Sequence, residues 1–373
     1  MSILGPIGVD RFLSEYWQTK PLIIRNATQR FQHSLTVEEL AGLSLEEDVE
    51  SRLVQWHSKT DDWAVEQGPL SEERYAELPD RDWTLLVQAV DQWVPEIAEV
   101  LDQFSFLPKW RLDDVMVSYA APGGSVGPHF DHYDVFLLQV SGTRNWRVGQ
   151  RCDENSPLRV DQPLKILQTF KQVKQCILRP GDMLYLPAGR AHWGIAEDEG
   201  SITYSIGFRA PSAAELLMSA AERLAATLPE DLRYRDIGRV TGGSQIDSSV
   251  DEGLELLFKT LNKRNLLVAA KDAFISQVTE PRYIEAGELL DDEELESTLE
   301  DVRNGTALIE KSPHSRFAYS LTENDGADLF VDGVKYVVAS QTAQMICDGE
   351  IETNWQNQDL INQLLKSGAL IVI

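Results

Sequence analysis

Three cysteines, Cys152, Cys176 and Cys347, are all that this chain of 373 residues contains, and no two form a Cys-x-x-Cys pair. So few, odd in number and widely spaced, they exclude a disulfide framework and a thiolate-rich structural zinc site. No apolar run approaches the roughly eighteen residues that a bilayer-spanning helix requires. The start, Met1-Ser2-Ile3-Leu4-Gly5-Pro6-Ile7, lacks the basic and long apolar stretches of a secretion signal, so a cytoplasmic location is expected. Positive charge is also short. Against 34 Lys and Arg stand 60 Asp and Glu, a net charge of −26. A surface this acidic repels phosphate backbones, which argues against free nucleic acid as a partner and favours a basic polypeptide.

Histidine is sparse too, six in all, and this draws attention to His129-Phe130-Asp131 and to His192. In an extended segment residues i and i+2 point the same way, so the imidazole of His129 and the carboxylate of Asp131 converge. His192 ends a stretch, Pro180 to His192, that reads as a turn, a short buried strand, a second turn and then the ligand. Two histidines and one carboxylate on one side of an ion leave positions open, the arrangement of non-haem Fe(II) oxygenases. His132 falls on the opposite face by the same alternation. His33, His57 and His314 lie in polar stretches without partners.

At this length the chain accommodates two or three domains. Residues 1–105 mix signals: Val9 to Trp17 is amphipathic, Pro21 to Arg25 reads as a strand, and Thr84 to Trp93 has helical spacing. From 106 to 211 short strands follow too closely for intervening helices. They include 115–119, 133–140, 144–148, 176–178, 183–186 and 201–208, and they predict an antiparallel jelly roll, a double-stranded β-helix of cupin type. Residues 212–280 open on the capping box Ser212-Ala213-Ala214-Glu215 and continue at helical intervals, with a polar loop over 238–249. So thin a helical unit completes its core against a second copy, and a homodimer is expected. Residues 281–373 combine helices with turn signals at 323–326 and 332–333, a winged-helix-like pattern. They carry 6 Lys and Arg against 18 Asp and Glu, so the electrostatics for DNA are absent.

With these residues in place, the chain resembles the JmjC-type 2-oxoglutarate oxygenases, and among them the bacterial ribosomal oxygenases. The likeness is carried by 122–131, 133–136, 144–149, 180–187 and 204–211, and by the order of the four parts. It implies Fe(II) held by His129, Asp131 and His192, with 2-oxoglutarate and O2 as co-substrates in the hydroxylation of a C–H bond. It also implies an arginine for the far carboxylate of 2-oxoglutarate. Arg144 is preferred over Arg147, which has the opposite strand parity, with Ser118 as a second contact and Ser205 a weaker one. The implied substrate is an arginine of a large-subunit ribosomal protein, the sixteenth, with Tyr133 and Asp134 as candidates to grip it. The alternatives are histidine hydroxylation of another ribosomal protein, N-methyl demethylation, and a non-catalytic cupin-like binding protein.

Overall fold

The computed structural model describes residues 3–28, 35–57, 59–235, 247–261, 263–281, 290–349, 351 and 357–373. His33 and residues 238–246 of the expected loop lie outside them. The chain divides into two compact units, Met1–Ala210 and Pro211–Ile373.

In the first unit the elements are α1 (Val9–Glu15), β1 (Leu22–Ile24), α2 (Val37–Leu43), β2 (Ser51–His57), β3 (Asp62–Gln67), α3 (Glu72–Ala76) and β4 (Trp83–Val87). There follow α4 (Pro95–Asp102), β5 (Leu112–Ala120), β6 (Val135–Ser141), β7 (Arg144–Arg151), β8 (Lys174–Leu178), β9 (Met183–Leu186), β10 (Arg190–Ala196) and β11 (Ser201–Phe208). An eight-stranded sheet in the order β1-β9-β6-β11-β5-β4-β2-β3 and a three-stranded sheet β10-β7-β8 form the double-stranded β-helix. Every pairing in both sheets is antiparallel.

Strand β6 shows why its sequence reads as one apolar run. Phe136 and Leu138 enter the main core with Phe12, Phe104, Tyr185, Tyr204 and Phe208, beneath the N-terminal helices. Val135 and Leu137 enter a second core with Trp146, Val148, Leu178 and Leu184, between the sheets. A strand covered on both faces has no polar side to alternate with. The same condition overturns the helical reading of Thr84 to Trp93. Residues 84–87 are β4, paired to both β2 and β5 and buried throughout, and only Val90–Gln92 form a helical turn.

The second unit begins with α5 (Ala213–Ala226), α6 (Asp247–Thr260) and α7 (Lys263–Thr279), the first opened by the predicted Ser212–Glu215 capping box. It continues with α8 (Asp292–Arg303), β12 (Ile309–Lys311), β13 (Phe317–Leu321), β14 (Gly326–Val331), β15 (Val334–Ala339), α9 (Ser340–Asp348), α10 (Gln358–Lys366) and β16 (Leu370–Val372). Strands β13, β14 and β15 form a meander through the two expected turns, and β16 pairs with β12. Asp291 caps α8, its carboxylate accepting the N–H groups of Glu293 and Glu294 at the positive end of the helix.

Candidate active site

His129 does not stand in a regular strand. It forms a single bridge to His192 on β10, with N–H to carbonyl distances of 3.0 and 2.8 Å in the two directions. The Asp131 carbonyl accepts the Gly189 N–H at 2.7 Å. These three bonds lay residues 129–131 along β10 in extended form, so the i, i+2 convergence survives without a strand. Gly181 and Gly189 flank β9 with φ of +88° and +74°, a backbone region that side chains disfavour. They are the two turns that return the chain to His192.

His129, Asp131 and His192 bring one ligand atom each to within 4.8 Å of one another. The Asp131 carboxylate lies 3.6 Å from His192 Nε2. His129 Nδ1 faces the Gly127 carbonyl at 2.9 Å and His192 Nδ1 the Arg190 carbonyl at 3.0 Å. A carbonyl only accepts, so both Nδ1 atoms carry the proton and both Nε2 lone pairs are left for an ion. Burial, then the neighbouring His129, push His192 down to about 4, against the pull of Asp131. It is neutral at physiological pH, the state that binds metal. His132 is exposed, its ring against Phe130.

Pairing between β7 and β10 places Arg144 opposite Ala196, Trp146 opposite Gly194 and Val148 opposite His192. By alternation all six face the same way, whereas Arg147 pairs with Trp193 on the other face and stacks over its ring at 4.7 Å. Arg144 is buried, and Nη1 donates to Ser118 Oγ at 3.2 Å and Thr203 Oγ1 at 3.3 Å, joining the two sheets across the interior. Thr203 in turn donates to Gln139 Oε1 at 2.9 Å. Among the described residues no carboxylate pairs with this guanidinium, and desolvation lowers it to about 10. Arg144 Nε and Trp146 Nε1 are buried donors without a partner among the described residues. Unpaired buried donors beside a cation mark a place for an anion. A Cβ on Gly194 would lie 2.7 Å from the Trp146 ring and 2.8 Å from Arg144 Nε, so the bare glycine keeps this space open.

Ser205 stands on the face of Thr203, two residues on, and Gly207 two beyond it. Tyr133, 37% exposed, approaches Gly207 at the rim, and Asp114 on β5 lies beneath it, buried, its carboxylate accepting the Ala89 N–H at 3.2 Å; they come within 3.9 and 3.4 Å of a Cβ built on Gly207. Asp134 is no part of this rim. Its carboxylate is fully buried, accepting from Tyr185 Oη at 2.6 Å, from Gln18 and from Arg111 at 3.1 Å, so the chain's own arginine occupies it. Thr203, Gln139, Gly194 and Asp114 escaped the sequence reading. Only Gln139, polar within an apolar run, carried a signal.

A family model described as JmjC domain matches residues 99–216. A probable ribosomal oxygenase of Haemophilus influenzae is 34% identical over 360 residues, 92% of this chain and 87% of its own length. The ribosomal protein uL16 3-hydroxylase of Escherichia coli is 41% identical over 217 residues, 57% of this chain and 55% of that one. A solved structure of YcfD, a ribosomal oxygenase from Escherichia coli in complex with cobalt and 2-oxoglutarate, matches with a TM-score of 0.74 at 27% identity over 98% of both chains.

Proposed function

The chain belongs to the JmjC ribosomal oxygenases, and from that premise we propose that it uses Fe(II), 2-oxoglutarate and O2 to hydroxylate an arginine side chain of a large-subunit ribosomal protein of the uL16 type. The observation that carries this reading is a three-ligand cluster facing the same interior as a buried arginine that pairs with no carboxylate among the described residues. His129, Asp131 and His192 would hold the iron. When bound, the metal with 2-oxoglutarate supplies the oxidising chemistry, releasing succinate and CO2 as one oxygen atom enters a C–H bond. The donor set suits it: two neutral imidazoles and a carboxylate, with no thiolate.

The protein's own part is position. Arg144, with Ser118 and Thr203, would take the far carboxylate of 2-oxoglutarate, and Trp146 Nε1 is a further donor on the same face. At the rim, Tyr133 lies beside Gly207, a partly exposed aromatic ring that suits a guanidinium better than a neutral imidazole. This favours arginine over histidine. We place the activity in the cytoplasm, where ribosomal proteins are met, and assign 212–280 to homodimerisation and 281–373 to a winged-helix-like part that binds no DNA.

The test is incubation of the Fe(II)-loaded enzyme with 2-oxoglutarate and purified ribosomal proteins, read by tandem mass spectrometry. Gain of one oxygen atom on a uL16 arginine is expected. Oxygen on a histidine would move the substrate assignment, and loss of a methyl group would indicate demethylation.

A further inference from the structure

A groove of about 810 Å³ lies beside the ligand cluster, between the eight-stranded sheet and an arm formed by residues 157–168. Trp63, Pro128, Phe170 and Trp193 line it; Pro128 and Trp193 are the chain neighbours of His129 and His192, with Trp193 on the opposite face of β10 from His192. Backbone bonds tie the arm to the ligand-bearing segment. Leu167 N–H donates to the Pro128 carbonyl at 2.8 Å, and Leu158 and Leu167 bridge to each other across the arm.

Register connects the floor of this groove to the co-substrate pocket. Trp56 pairs with Trp63, Val54 with Thr84, and Leu86 with Ser118. By alternation Trp63, Trp56, Leu86 and Ser118 share one face of the sheet. The rim carries excess negative charge: carboxylate oxygens of Asp61, Asp62 and Asp161 lie 3.1, 3.5 and 3.7 Å from the guanidinium of Arg159. Three carboxylates gather on this one cation, and their side chains are 49–67% exposed. Val160, at the tip of the arm, is 99% exposed.

An aromatic floor beneath an acidic rim suits an extended segment that carries an apolar side chain next to Lys or Arg. We propose that the groove docks the stretch of the basic ribosomal-protein substrate that flanks the hydroxylated residue, an inference that rests on the function proposed above. A second copy of this chain is a poor occupant, because its net charge of −26 would meet a rim already negative. A nucleic acid fails for the same reason.

The experiment uses the full-length Fe(II)-loaded enzyme and two variants, Asp61→Asn/Asp161→Asn and Val160→Ser, none of whose changed residues touches the ligand cluster or Arg144. Oxygen incorporation into the intact ribosomal protein gives KM and kcat, 2-oxoglutarate decarboxylation without protein substrate reports the reaction centre, and light scattering reports the oligomeric state. The KM for the protein is expected to rise about fivefold in each variant, with kcat and 2-oxoglutarate turnover unchanged. For the Asn pair the difference from wild type should close at high salt. An unchanged KM in both variants overturns the inference. So does an altered oligomeric state, which would make a second copy the occupant. If the wild-type enzyme oxidises no ribosomal protein, the functional reading falls, and the docking site with it.

Discussion

Both histidines of the cluster are oriented from behind by backbone carbonyls, those of Gly127 and Arg190, so ligand geometry is built into the main chain. His129→Ala or Asp131→Ala should therefore abolish turnover while leaving the fold intact, since the apolar cores lie elsewhere. Circular dichroism together with 2-oxoglutarate turnover checks this; full activity in either variant would refute the ligand assignment. Arg144→Ala should raise the KM for 2-oxoglutarate about a hundredfold, the loss of a desolvated charge pair worth roughly 3 kcal/mol. Gly194→Ala should act on the same constant by crowding Trp146 and Arg144, and weaker binding of 2-oxoglutarate in a direct titration would register it. The metal-free protein carries a pH signature as well. His192, lowered from 6.5 to about 4, stays neutral in the fold while the unfolded chain takes up its proton first, so stability falls as pH drops from 6.5 toward 4. Thermal melts across that window should flatten in His192→Gln. The convergence of His129 and Asp131 was legible in the sequence because an i, i+2 spacing expresses it, and the approach of His192 because two glycine turns return the chain to them. Thr203 and Gly194 were not, because what they touch is set by register with strands far away in the chain.

Among the elements, the strands of 106–211 were readable where turns punctuated them, as at Met183–Leu186 and Ser201–Phe208. β10 was missed as a strand: His192 and Gly194, on the face it turns to the interior, leave no apolar period of two to read. Strand β4 was misread because burial on both faces removes the polar positions that separate a period of two from one of 3.6. In the helical part, Ala220 and Leu224 of α5 are buried, but Leu217 and Met218 are 67% and 73% exposed, and Phe258 of α6 is 67% exposed. Apolar exposure of this kind on both helices is what the proposed homodimer would cover. Met218→Asp together with Phe258→Asp should give a folded monomer by light scattering; an unchanged mass would place the dimer contact elsewhere.

At the scale of the whole molecule, the dominant quantity is the net charge of −26. Field of one sign speeds the encounter with a basic partner and loses that effect as ionic strength rises. Hydroxylation of the intact ribosomal protein should therefore slow with added salt through KM, while 2-oxoglutarate turnover without protein substrate changes little. The central claim is that these parts together oxidise a ribosomal arginine. Mass spectrometry of ribosomal proteins from cells with and without this gene tests it most directly. One added oxygen atom on a uL16 arginine, lost with the gene, is expected; identical spectra from the two strains would refute arginine oxidation by this enzyme.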